Sequence, residues 1–250
     1  LPTIRPVPYL EYAHAIVQSG VKIVETAGRN PQEYVPIFKR AGITIIHKCT
    51  SVRHALKAQA MGCDIVSMDG FECAGHVGED DIPNMVLLPC AAQRLKIPFI
   101  ASGGLGTGRQ LVAALALGAC GINMGTRFIA TRECEVHENI KQALVSGDER
   151  GTALIFRRLK NSSRIYRNSV AERIMALDAD TTKTFDDMKH IVAGARSAAV
   201  YEQGEMEAGM WTAGMVMGLI DDIPTCEELV QRIVRDAREF IEKGFPRLMH

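Results

Sequence analysis

Two glycine corners carry the first chemical hint in this chain: Ser102-Gly103-Gly104-Leu105 and Asn123-Met124-Gly125-Thr126. Each follows a short apolar run, so each is expected at the C-terminal end of a strand. Glycine beside a hydroxyl residue lets backbone N–H groups approach an anion closely, and two such strand ends in succession suit a phosphate. A tight strand-to-helix turn would explain either corner taken singly. A third constellation is the loop from Asp69 to Asp81, where His76 lies among small residues. An imidazole that ionises near neutral pH can act there as general base or hydrogen-bond donor, or simply face solvent. His47-Lys48-Cys49-Thr50 closes another apolar run. Lys48 reads either as a cation beside an electron-rich cofactor ring or as a rim residue paired with a carboxylate. Cys49 is a weak candidate nucleophile, since no activating partner adjoins it in sequence. Glu79, Asp80 and Asp81 are expected to form an acidic patch ahead of the helix leading into Pro89, and no metal is assigned to them.

The elements that would position these residues alternate. Strands are expected at 21–24, 43–46, 64–67, 98–101 and 121–124, all continuous apolar runs suited to a parallel sheet covered by helices. Helices are expected at 9–18, 33–40, 52–60, 85–95 and 109–117, with Gly20, Gly42, Gly62 and Gly118 as helix stops. This rhythm is that of an α/β fold, a (β/α)8 TIM barrel. In such barrels the loops after the seventh and eighth strands hold phosphate. Counting back from the two corners numbers the five visible strands fourth to eighth, so the barrel is expected to lack its first strands and the chain to begin inside the third βα unit. After Arg127 the rhythm breaks. A helix at 138–145 precedes a mixed stretch from 153 to 200, expected to be a helical excursion. Helices at 212–219 and 226–243 follow, the latter with Glu227 and Glu228 in its first turn. The expected division is residues 1–136 as barrel, 137–210 as helical cap, and 211–250 as helices packing back on the barrel.

Composition narrows the function. Lys and Arg together number 29, as do Asp and Glu, and this balance offers no basic footprint for nucleic acid or an anionic membrane. No run approaches the roughly 20 apolar residues of a membrane span, and the start lacks a signal-peptide core, so a cytoplasmic location is expected. The 7 cysteines are scattered and fit neither a disulfide framework nor a zinc site.

Taken together, these residues resemble the nitronate monooxygenase family, FMN-dependent TIM barrels, and look closest to its NAD(P)H:quinone reductase branch. The resemblance runs over essentially the whole chain, through Pro6-Val7-Pro8-Tyr9, His47 to Thr50, Asp69 to Asp81, Ser102-Gly103-Gly104, Asn123 to Phe128 and Gly214 to Asp222. It implies that Ser102, Gly103, Gly104, Gly125 and Thr126 hold the FMN phosphate, with Met124 in the same cofactor-binding set. Lys48 and Asp69 would contact the flavin or its ribityl chain, and His76 would stand over the reactive face of the ring. The segment from Pro2 through Pro8 and Tyr9 would border the substrate entrance. Trp211 and Tyr201 would line that mouth or belong to the core. The chain carries Asp69 where many nitronate monooxygenases have Gln, and Ala74-Gly75 where they have a glycine pair, which turns the expectation slightly from alkyl nitronates toward NADH or NADPH with a quinone. An FMN-dependent enoyl-acyl carrier protein reductase and a non-catalytic flavin binder are the competing readings. A small-molecule substrate is the expected partner, and a homodimer stays open.

Overall fold

The protein is described by a computed structural model covering residues 8–248, without the side chain of Leu248. Helix α1 (Tyr9–Gln18) leads into strand β1 (Ile23–Thr26). Then come α2 (Val35–Arg40), β2 (Thr44–Cys49), α3 (Val52–Met61), β3 (Ile65–Asp69) and the two-residue β4 (Gly75–His76). The alternation continues with α4 (Asn84–Arg94), β5 (Phe99–Ser102), α5 (Gly108–Ala116) and β6 (Ile122–Asn123). Strands β1, β2, β3, β5 and β6 pair in that order, all parallel, into one curved half of a βα barrel. The five strands and their helices fall within a few residues of the sequence expectation, and Gly20, Gly42, Gly62 and Gly118 all take the positive φ of helix-ending residues. Ile45, Val66, Met68, Leu87, Leu88 and Ala101 are fully or almost fully buried in the core that sheet and helices share.

Register explains why the chemical residues gather at one end. In parallel pairs Lys48 lies opposite Ser67, Asp69 opposite Ser102, and Ser102 opposite Asn123. The C-termini of β2, β3, β5 and β6 are therefore level, and the polar residues that end each apolar run meet at a common rim.

Beyond β6 the structure departs from the expected helical excursion. After α6 (Thr126–Ile129) and α7 (Glu138–Ser146), strands β7 (Thr152–Ile155) and β8 (Ser163–Tyr166) form an antiparallel hairpin, and β8 also pairs with β4. The hairpin was hidden because Thr152, Ser163 and Arg164 are buried polar residues. Their burial rests on specific hydrogen bonds, which erases the apolar alternation by which a strand is read. Helices α8 (Ser169–Ala179), α9 (Phe185–Met188) and α10 (Gly194–Gln203) follow. The helix expected at 212–219 is extended up to Gly214 and then a 3₁₀ turn, Met215–Leu219. Here the N–H of Gly214 donates to Thr126 Oγ1 and that of Met215 to the Glu72 carbonyl, so tertiary partners replace helical ones. Helix α11 (Cys226–Glu239), opened by a Thr225–Glu228 capping box, packs on α5 so closely that its backbone meets Gly108. A π-helical turn, Phe240–Gly244, and α12 (Phe245–Leu248) close the described chain.

Candidate functional site

A cavity of about 210 Å³ opens at the level ends of β2, β3, β5 and β6. Its wall includes Lys48, Asp69, Ser102, Gly103, Gly104, Met124, Gly125 and Thr126, so all eight residues expected to bind a cofactor surround one space. Lys48 is paired with carboxylates, the second of its two readings, and it also borders the cavity. Its Nζ lies 3.3 Å from Asp69 Oδ1, 3.3 Å from Glu25 Oε1, 3.3 Å from Ser67 Oγ and 3.4 Å from Ser102 Oγ. A half-buried ammonium between two carboxylates is electrostatically satisfied and stays available to a third negative group.

The glycine corner after β5 is held by side chains from two neighbouring elements. Asn84 Nδ2 donates to the carbonyls of Ser102 at 3.0 Å and Gly103 at 2.7 Å, while Gln110 Nε2 donates to that of Gly104 at 2.6 Å. Glu72 in turn accepts from the Asn84 N–H at 3.1 Å. With these carbonyls engaged, negative dipole ends are drawn toward the protein. The N–H groups of Gly104, Gly125 and Thr126 hydrogen-bond to no acceptor among the described residues. Gly103 and Gly104 sit at φ +87° and +73°, and a Cβ at either would lie 2.7 Å from Cys73 Cβ or 2.5 Å from Glu72 Cβ. Only glycine suits the conformation and the closeness of the neighbouring loop. Gly125 is different: an added Cβ would meet nothing within 4 Å.

This arrangement fits a phosphate-bearing cofactor. It offers unpaired main-chain donors on glycines, a lysine beside Ser102, and open space where a side chain would otherwise project. Thr126 contributes less directly than its hydroxyl suggested. The residue is buried and its Oγ1 accepts from the Gly214 N–H at 2.9 Å, so the acceptor side of the hydroxyl is already spoken for.

The remaining candidates are dispersed. His76 forms β4 opposite Ser163, is exposed, and is not among the residues lining the cavity, although Ala74, two residues earlier, is. Partial desolvation lowers its pKa below the ordinary imidazole value, which favours the neutral ring at pH 7. Tyr9 lines a second cavity, of about 220 Å³, between α1, β1 and α2, together with Tyr12, Tyr34, Arg29 and Glu25. Glu25 joins the two spaces through its contact with Lys48. Pro8 is exposed and lines neither cavity, and Pro2 lies outside the described residues. Trp211 does not line the mouth. It is 1% exposed and stacks on Tyr166 with ring centroids 4.4 Å apart, so its large apolar surface belongs to the core. Cys49 is no nucleophile either, because burial pushes its thiol up to about 12. The acids ahead of α4 are not a free patch: Glu79 accepts from the Ser162 N–H at 2.7 Å and Oγ at 2.8 Å, and Asp81 pairs with Arg157 at 2.6 Å.

Sequence reasoning missed Asn84 and Gln110, which shape the cavity wall from behind, and gave no task to Glu72 or Gly214 inside their quoted segments, although Gly214 lines the cavity. Their signal is weak in one dimension, since an Asn that braces two carbonyls reads like any helix-start Asn. Asn123, by contrast, was visible inside its motif and lines the cavity.

A parallel βα half-barrel with glycine corners on adjacent strand ends, closing on a lysine-bearing cavity, defines a TIM-barrel-like protein with a cavity at the C-terminal rim of its strands. Within that class the chain belongs to the nitronate monooxygenase family, which it matches over residues 3–236, and it is an oxidoreductase of that family. It is 32% identical over 216 residues to the nitronate monooxygenase of Paraburkholderia phytofirmans, across 82% of this chain and 58% of that protein. It is 28% identical over 265 residues to (3aS,4S,5R,7aS)-5-hydroxy-7a-methyl-1-oxo-octahydro-1H-indene-4-carboxyl-CoA dehydrogenase of Rhodococcus jostii, across 91% of this chain and 74% of that protein. Among solved structures, FabK from Thermotoga maritima superposes with a TM-score of 0.89 at 28% identity, over 96% of this chain and 76% of that one. Nitroalkane oxidase from Streptomyces ansochromogenes superposes with a TM-score of 0.77 at 25% identity, over 93% and 70%. No helix among the described residues is long and apolar enough to cross a membrane.

Proposed function

We propose that this chain is an FMN-dependent oxidoreductase that moves two electrons from a small-molecule donor to an acceptor, with NADH or NADPH as donor and a quinone as acceptor. The observation that supports it is the convergence of both glycine corners, Lys48 and Asp69 on a single cavity. When bound, FMN supplies reversible two-electron chemistry at its ring, and the protein's part is binding, orientation and charge.

Each residue then has a definite task. Gly104, Gly125 and Thr126 offer N–H groups to the phosphate, and Ser102 offers its hydroxyl. Lys48, held by Asp69 and Glu25, places a positive charge that favours extra electron density nearby without itself being a free, mobile side chain. His76, in β4 two residues beyond the cavity-lining Ala74, is the residue to which this reading assigns proton transfer. Cys73 takes no part in covalent chemistry: burial pushes its thiol up to about 12, so it remains protonated and serves as wall.

A second reading concerns the substrate. The Rhodococcus jostii relative, similar over 91% of this chain, is named for a carboxyl-CoA substrate, which favours a CoA thioester in place of the quinone. Oxidation of an alkyl nitronate is the third, favoured by the Paraburkholderia phytofirmans relative. One experiment separates them. The FMN-loaded protein is mixed anaerobically with NADH, NADPH, an alkyl nitronate or an acyl-CoA while flavin absorbance is followed. Bleaching by a nicotinamide, and reoxidation by a quinone, supports the first reading. Bleaching by the nitronate or acyl-CoA alone replaces it, and failure to bind FMN overturns the flavin assignment altogether.

A further inference from the structure

The hairpin that the sequence concealed does more than fill space. Arg164, in β8, is 4% exposed, yet no carboxylate forms an ion pair with it among the described residues. Its Nη1 donates to Thr152 Oγ1 at 3.2 Å and its Nη2 to the Phe71 carbonyl at 2.9 Å, while the guanidinium lies 4.7 Å from the centre of the Phe71 ring. Its Nε is buried without a partner. Burial outweighs the attraction of Glu72 and Asp81, which act only from beyond ion-pair distance, so the guanidinium is costly to hold here, and a fold needing only packing would be better served by an apolar side chain.

What Arg164 holds is the segment that carries His76. Phe71 opens it. Gly75 lies directly opposite Arg164 in the ladder, and His76 opposite Ser163. The Val77 N–H donates to the Ser162 carbonyl at 3.2 Å, and Glu79 and Asp81 are clipped to Ser162 and Arg157. Between these clips lie Glu72, Cys73 and Ala74. Glu72 and Cys73 press on Gly104 and Gly103, and Cys73 and Ala74 form part of the cavity wall. Phe71 itself is tied at its N–H to the Ile82 carbonyl, at 2.9 Å, so Arg164 closes the open side of an otherwise short loop.

We propose that Arg164 is a positioning residue: through Phe71 and the β4–β8 ladder it fixes the segment of residues 71–77, which carries His76 and whose Cys73 and Ala74 line the cavity. The inference rests on the proposed flavin reading for what His76 does, but its structural half stands apart from that reading. Arg164 touches neither glycine corner itself and reaches that after β5 only through Glu72 and Cys73, so its first effect is on the placement of residues 71–77.

The test uses the full chain with Arg164→Met, and Arg164→Lys in case the first variant folds poorly. Amide hydrogen exchange is measured first. The exchange of Gly75, His76 and Val77 should rise by about tenfold or more in Arg164→Met while β2, β3 and β5 stay near the parent, because local opening is distinct from global unfolding. Flavin reduction in the loaded protein should slow by about tenfold or more, with FMN affinity falling by a smaller factor, since small misplacements of a reacting group cost rate before binding. Arg164→Lys, which keeps the charge but not both donors, should fall between. Unchanged exchange at residues 75–77, exchange rising equally across the barrel, or rate and FMN affinity falling by the same factor would each overturn the proposal. A parent chain that takes up no FMN sinks the flavin reading instead, and the exchange measurement still decides the clamp.

Discussion

Replacing Gly104 by alanine, beside the same change at Gly125, separates a glycine needed for the wall from one needed for the ligand. Gly104 sits at φ +73°, where a Cβ would stand 2.5 Å from Glu72 Cβ and 3.2 Å from its Cγ. The left-handed backbone costs an L-residue about 1–2 kcal/mol. Overpacking a close contact adds about 1–3 kcal/mol. The sum, about 2–5 kcal/mol, corresponds to a melting temperature lowered by roughly 4–20 °C for a chain of this size. Glu72 cannot retreat freely, because its carboxylate holds the Asn84 N–H and Asn84 braces the carbonyls of Ser102 and Gly103. Gly125 has an ordinary φ of −114° and no atom within 4 Å of an added Cβ. Gly125→Ala should therefore change stability by no more than about 0.5 kcal/mol. Its methyl would nevertheless occupy the space assigned to the phosphate, weakening FMN by about tenfold or more, or about 1.4 kcal/mol. Thermal denaturation of the FMN-free chain and titration of FMN fluorescence give the two numbers. The reasoning is refuted if Gly125→Ala binds FMN like the parent, or if both variants lose equal stability.

Three further outcomes follow from the same geometry. Arg127 is 2% exposed, its Nη1 donates to the Ala130 carbonyl at 3.2 Å and its Nη2 lies 2.5 Å from Asp222 Oδ1, so Arg127→Met should cost about 1–3 kcal/mol in urea denaturation by leaving the Ala130 carbonyl without its donor. Arg232 meets the same carboxylate from a more exposed position, and Arg232→Met should cost below about 1 kcal/mol; equal losses would contradict the argument. Thiol labelling of the native chain should reach the exposed Cys90 and Cys120 and spare Cys49 and Cys73, whose thiols are buried and pushed up to about 12; rapid native labelling of Cys73 would count against it. His47 is buried, 2.7 Å from Thr26 Oγ1, and burial holds its pKa below the ordinary 6.5. The unfolded chain then takes up the proton first, so stability falls as pH drops below 6.5 toward the folded-state value, by at most about 1.4 kcal/mol per pH unit from this group. Comparing melting at pH 7 and 5.5 for the parent and His47→Gln checks this, since parallel curves would exclude His47 as the source.

What the sequence by itself determined was the part of the molecule governed by local rules. Apolar runs fixed the five parallel strands, glycines ended four of the helices, and the residues at each strand's C-terminus had to share a rim because parallel strands of one sheet end at one side. Lys48, Asp69, Ser102 and the two glycine corners were legible for that reason. Only the tertiary structure decided what stands behind them. Asn84 braces the carbonyls of Ser102 and Gly103, Glu72 holds the Asn84 N–H and Gln110 holds the Gly104 carbonyl, and nothing in their spacing marks those partners. Buried Ser163 and Arg164 look like surface residues until the loop of residues 71–77 supplies their hydrogen bonds, which is why a hairpin passed for a helical cap. Trp211 was open to two readings in sequence, and packing against Tyr166 selected the core. Periodicity records which face of an element meets apolar surface, whereas a polar contact depends on a partner that only folding brings within reach.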